Sequence, residues 1–119
     1  MNIEYRELTL NNGEKDITPI IHEKNGDTFG GFLDFDVRLF KKDIKLGIES
    51  VITGKSTEFS FSGNAYELEI NDNKVFIYFA LAETDEEYYG TCFKTTTNEL
   101  KKAVDEWCDK LYKFKSKNS

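Results

Sequence analysis

The sequence predicts an α+β fold in one domain spanning residues 1–119: an antiparallel β-meander of about six strands, with one C-terminal amphipathic helix packed on one face. Three observations lead there. Apolar and polar residues alternate with period 2 through much of residues 33–94, turn-forming residues punctuate that stretch, and beyond residue 96 the apolar spacing becomes helical. Ten Phe, six Tyr and one Trp supply bulky core material.

The first 30 residues suggest two strands. Ile3, Tyr5 and Leu8 fit an opening strand, and Ile17 to Ile21 fit another. Pro19 cannot donate to a ladder, which places that piece at an edge or in a loop. Gly30-Gly31 marks a bulge before the next strand. In Leu33-Asp34-Phe35-Asp36-Val37-Arg38-Leu39 the alternation puts Leu33, Phe35, Val37 and Leu39 on one face and Asp34, Asp36 and Arg38 on the other. Ile44, Leu46, Ile48 and Ile52 continue the pattern. With Lys41-Lys42-Asp43 as a polar reversal, residues 33–52 are expected to form a hairpin.

Gly54-Lys55-Ser56 turns the chain into Glu58-Phe59-Ser60-Phe61-Ser62, and Ser62-Gly63-Asn64 breaks it again, with a glycine able to adopt positive φ at little steric cost. Tyr66, Leu68 and Ile70 then share one face, with Glu67 and Glu69 opposite. After the turn Asn71-Asp72-Asn73, residues Lys74 to Leu81 are apolar on both faces, as in a central strand. An acidic turn, Glu83 to Glu87, leads to a last strand from Tyr88 to Lys94. Leu100, Val104, Trp107, Leu111 and Phe114 form the stripe of a helix over about residues 97–114. Thr96 and Glu99 make a capping box, lysines 110, 113 and 115 suit the negative pole, and Trp107 belongs at the centre of the helix–sheet contact. Residues 115–119 read as a frayed tail.

Chemistry is sparse. The chain holds one histidine, His22, and two cysteines, Cys92 and Cys108, without C-x-x-C spacing. His22 sits beside Glu23 and Lys24 as a surface residue would, and Cys108 flanks the apolar helix face. No catalytic residue, metal site or cofactor is expected. A net charge of −6 repels phosphate backbones and anionic lipid, which argues against direct nucleic-acid or membrane binding. No secretory signal or long apolar span is visible, so a cytoplasmic location with reduced thiols is expected.

Two carboxylate groupings remain. Asp34 and Asp36, like Glu67 and Glu69, lie two apart on an expected strand face, where such pairs can serve acid–base chemistry or simply meet water. Glu83, Asp85, Glu86 and Glu87 run directly into Tyr88 and Tyr89. Carboxylates mimic a phosphate backbone, and tyrosines offer flat contact area at low entropic cost. These eight residues (Glu83, Asp85, Glu86, Glu87, Tyr88, Tyr89, Asp34 and Asp36) are the candidate set for binding a basic partner, against the alternative of a solvated loop and strand face.

Ser62-Gly63-Asn64-Ala65-Tyr66, then Thr96, Glu99, Leu100 and Trp107, form a layout that resembles bacterial immunity proteins of contact-dependent inhibition and related polymorphic toxin systems. The resemblance covers about the C-terminal half. It implies a cytoplasmic protein that binds one cognate toxin domain, often a nuclease, and blocks it in the producing cell. From charge and the sparse chemistry, a non-enzymatic monomer or weak homodimer that plugs a basic cleft with its eight candidate residues is expected. The alternative is a small-ligand-binding or accessory domain with a pocket between helix and sheet.

Overall fold

The computed structural model describes residues 1–118. Two strands come first, β1 (Ile3–Thr9) and β2 (Lys15–Ile21). A helical run follows: α1 (Gly26–Gly31), a π-helical segment (Phe32–Val37) and α2 (Arg38–Ile52). The remainder is β3 (Glu58–Ser62), β4 (Tyr66–Asn71), β5 (Lys74–Phe79), α3 (Asp85–Gly90), β6 (Phe93–Thr95) and α4 (Thr97–Lys117). The class is α+β, but the strands do not make one meander. β1 and β2 form a separate antiparallel pair, and β3-β4-β5-β6 form a four-stranded antiparallel sheet.

The expected hairpin over residues 33–52 is helix instead. Leu33 and Val37 are buried with Phe29, Ile44 and Ile48, a stripe of helical spacing. Phe35 and Leu39, apolar positions of the expected strand, are 59% and 63% exposed, while Asp36 has no exposed surface. Lys41, Lys42 and Asp43 lie within α2 and reverse nothing. Inside α2, Phe40 departs from helical geometry, and its ring meets Phe61 at 5.4 Å between centroids.

β2 shows how Pro19 is tolerated. The Ile17 carbonyl accepts from Arg38 Nη2 at 2.9 Å, so it points away from β1. Pro19 and Ile21, two and four residues on, share that outward direction, so the missing N–H interrupts no ladder bond. Glycines close this second edge. A Cβ on Gly26 would stand 2.1 Å from the Ile21 carbonyl oxygen, and one on Gly30 would stand 3.1 Å from that of Pro19. Gly30-Gly31 therefore marks a close helix–strand approach, not a bulge.

The inner sheet face, with Leu68, Ile70, Val75, Ile77 and Phe93, is covered by α1 and α2 as well as α4. Gly47 of α2 lies under the Phe59 ring of β3, where a Cβ would come within 2.1 Å. In α4 the buried stripe Leu100, Val104, Trp107 and Leu111 is as expected. The Thr96 hydroxyl accepts from the Glu99 N–H at 3.2 Å. Only that half of the capping box forms among the described residues; the Glu99 carboxylate lies 3.7 Å from the Met1 amino group. The helix continues through Lys117, so the expected tail is largely helical, and Ser119 lies outside the described residues.

The β3–β4 turn falls at the expected break but does not use the conformational freedom of its glycine. Gly63 does not adopt positive φ; Gly13 and Gly54 do, as does Asp72 in the expected Asn71–Asn73 turn. Gly63 is instead a matter of space, since a Cβ there would lie 2.3 Å from the Asp36 carboxyl carbon. That carboxylate accepts from the Asn64 N–H at 3.1 Å and the Tyr66 N–H at 3.0 Å. Asp36 thus holds the turn from beneath.

Candidate functional site

The acidic segment is folded, not a loop. Thr84 caps α3, its hydroxyl accepting from the Glu87 N–H at 3.1 Å, and Glu87 Oε2 accepts from the Glu83 N–H at 3.1 Å. Asp85, Glu86 and Glu87 occupy the first turn, where negative charge favours a helix. The expected strand from Tyr88 to Lys94 shrinks accordingly to Phe93–Thr95.

α3 packs on β5 and brings its tyrosines to the sheet's outer side. Tyr78, pointing outward from β5, stacks on Tyr88 with centroids 4.7 Å apart and planes within 6°. Tyr89 stands edge-on to both, 5.0 Å from Tyr88 and 6.3 Å from Tyr78, and is 66% exposed. Glu67 pairs in register with Tyr78, and Glu69 with Phe76, so both carboxylates share that face. Lys94, in register with Phe76, and Lys74, in register with Asn71, are cations on the same face.

Electrostatics follow from this arrangement. Burial pushes the Tyr78 hydroxyl up to about 12, with Cys92 and Glu69 nearby adding to the shift. Burial, then the Glu67 and Glu69 charges, raises Tyr88 as well, and Glu67 hydrogen-bonds its hydroxyl. Both rings stay neutral at physiological pH. None of Glu67, Glu69, Glu83, Asp85, Glu86 or Glu87 forms an ion pair among the described residues. Glu4, Asp16, Asp34, Glu49, Asp105 and Asp109 each have a cationic partner.

Six of the eight expected residues therefore cluster: Glu83, Asp85, Glu86, Glu87, Tyr88 and Tyr89. Asp34 and Asp36 do not join them, because both lie in the π-helical segment. Asp34 binds Arg38 Nη2 at 2.6 Å and accepts the Thr18 hydroxyl at 3.0 Å. Burial raises the Asp36 carboxyl above its ordinary value despite its backbone N–H donors. The structure adds Glu67, Glu69 and Tyr78 to the group. A second capping pattern, Thr84-x-x-Glu87, was the signal for α3, and the two-sided apolar pattern of residues 74–81 was the signal for Tyr78.

The remaining reactive groups stand apart in their contacts. His22 Nε2 lies 2.8 Å from Glu4 Oε1 at the exposed end of the hairpin. Cys92 is buried beside Tyr78, and burial raises its thiol. Cys108 is half-buried near Lys41 and Lys45, its thiol also raised by burial. Among the described residues no three His, Cys, Asp or Glu side chains are grouped to hold a metal ion, and no helix is long and apolar enough to cross a membrane. Between α4 and the sheet, the space is filled by side chains such as Leu100, Val104, Val75 and Ile77. No protein-family model, curated protein or solved structure matches the chain.

Proposed function

We propose that this protein is an inhibitor of the immunity type, which binds the basic active-site cleft of a cognate toxin domain through the outer face of its sheet. The observation that carries the reading is the Tyr78–Tyr88–Tyr89 cluster, bordered by six carboxylates without ion-pair partners among the described residues. Free carboxylates steer a basic partner and pair with its lysines and arginines. The tyrosines supply a rigid centre from which water can be expelled. A toxin acting on nucleic acid suits the face, since such a cleft is built for phosphate charge. On this reading the protein works without catalysis and in the cytoplasm of the cell that makes the toxin.

The test is calorimetric titration against the C-terminal domain of the protein encoded directly upstream, at low and at high salt. A tight complex that weakens steeply with salt supports the proposal. No complex at low salt contradicts it.

A further inference from the structure

A second site lies between β2 and α1, separate from the residues of the docking face. It is a hollow of about 250 Å³ whose lining includes Pro19, Asp27, Gly31, Asp34, Phe35 and Tyr66. Tyr66 is the unusual member. The residue is only 8% exposed, and among the described residues its hydroxyl makes no hydrogen bond. Gly31 makes room for it, since a Cβ there would fall within 1.8 Å of the hydroxyl oxygen. The ring is buried but the hydroxyl oxygen keeps accessible surface, and it lines the hollow as a polar group free to bond a guest.

The other groups are acceptors. Asp27 is exposed and has no ion-pair partner among the described residues. Asp34 keeps acceptor capacity beyond its bonds to Arg38 and Thr18. The Pro19 carbonyl points outward from β2 toward the glycine face of α1. No cationic side chain lines the hollow, because Arg38 is held outside it by Asp16, Asp34 and the Ile17 carbonyl. The exposed Phe35 ring supplies a wall suited to a cation.

We propose that this hollow binds a primary ammonium group, held by the Tyr66 hydroxyl and the Asp27 and Asp34 carboxylates against the Phe35 ring. The same chemistry is offered by a free alkyldiamine and by a lysine side chain of another protein. The proposal does not depend on the docking face.

Titration of the full chain with cadaverine and with Nα-acetyl-lysine methylamide, followed by amide NMR, tests it. n-Pentanol serves as the uncharged control. Saturable shifts at Gly26, Asp27, Gly30 and Gly31 with either amine, and not with the alcohol, support the site; which amine binds more tightly identifies the source. Tyr66→Phe, which keeps the ring in the core, is expected to weaken binding about tenfold or more. Asp27→Asn, on the surface, is expected to weaken it about threefold. No saturable shift with either amine, or binding unchanged in both variants, would overturn the proposal.

Discussion

The indole N–H of Trp107 donates to the Leu33 carbonyl oxygen across 2.7 Å, joining α4 to the π-helical segment. The next carbonyl along, that of Asp34, accepts from Arg38 Nε at 3.0 Å. Two successive carbonyls of the widened helical turn thus serve side chains. The Arg38 guanidinium carbon in turn lies 5.4 Å from the Trp107 ring centroid, and Tyr5 stacks on the same indole at 6.1 Å. Trp107 is therefore the point where hairpin, π-helical segment and C-terminal helix meet.

Trp107→Phe keeps much of the volume but leaves the Leu33 carbonyl without its donor. Urea unfolding is expected to show a loss of about 2–4 kcal/mol, and Trp107→Ala a loss of about 3–5 kcal/mol. A loss below about 0.5 kcal/mol for Trp107→Phe would mean that the carbonyl finds another partner.

Gly63 and Asp36 should behave as a coupled pair. Gly63→Ala pushes a methyl group onto the buried carboxylate, at an expected cost of about 1–3 kcal/mol. Asp36→Ala strips acceptors from two turn N–H groups, at an expected cost of about 2–4 kcal/mol. In the Asp36→Ala background the crowding is gone, so Gly63→Ala should then cost less than about 0.5 kcal/mol. Simple additivity in the double-mutant cycle would show that the carboxylate is not what excludes a side chain at residue 63.

The same carboxylate gives stability a pH dependence. Burial raises folded Asp36 above its ordinary value of 3.8, so the native state holds this proton more tightly than the unfolded chain does. The associated stability is complete below that value and is lost as pH rises through the folded pKa. Asp16 works the opposite way. The Ile17 N–H and Arg38 hold its carboxyl below its ordinary value despite the opposing effect of burial, so its contribution is present above 3.8 and fades as pH falls. Stability measured by urea unfolding across the acid range should therefore show wild type losing ground to Asp36→Asn as pH rises above 3.8. A constant difference would contradict the raised pKa.

The docking face separates binding from stability. Tyr89 is 66% exposed, so Tyr89→Ala should change unfolding free energy by less than about 0.5 kcal/mol. If it lies at the centre of the interface, the same change should weaken partner binding by about 2 kcal/mol or more. Glu86→Lys should chiefly slow association and flatten its salt dependence, as measured by stopped-flow mixing.

The legible parts of the fold are those where local signals agree. In α4 the cap at Thr96, the apolar stripe and the basic end all point to one helix. β3, β4 and β5 were readable because Gly54, Ser62-Gly63-Asn64 and Asn71–Asn73 bound them. Residues 26–52 misled because Leu33 to Leu39 alternate strictly, while the structure inverts three of those positions: Asp36 is buried and Phe35 and Leu39 are exposed. The longer-range stripe from Phe29 through Leu33 and Val37 to Ile44 and Ile48 carries the helical signal. It was masked because Asn25, the residue before α1, is left-handed and its side chain does not cap the helix. The candidate face was visible in part for a related reason. Contiguous acids are obvious in a sequence, whereas the approach of Tyr78, Glu67 and Glu69 to α3 requires the sheet register.

Amide hydrogen exchange of the protein, free and bound to its partner domain, distinguishes docking through the outer sheet face from docking elsewhere. Docking through that face gives new protection in residues 83–90 and along β4 and β5, with the outer surfaces of α2 and α4 unchanged. Protection confined to α2 and α4, with residues 83–90 exchanging as in the free protein, would contradict it.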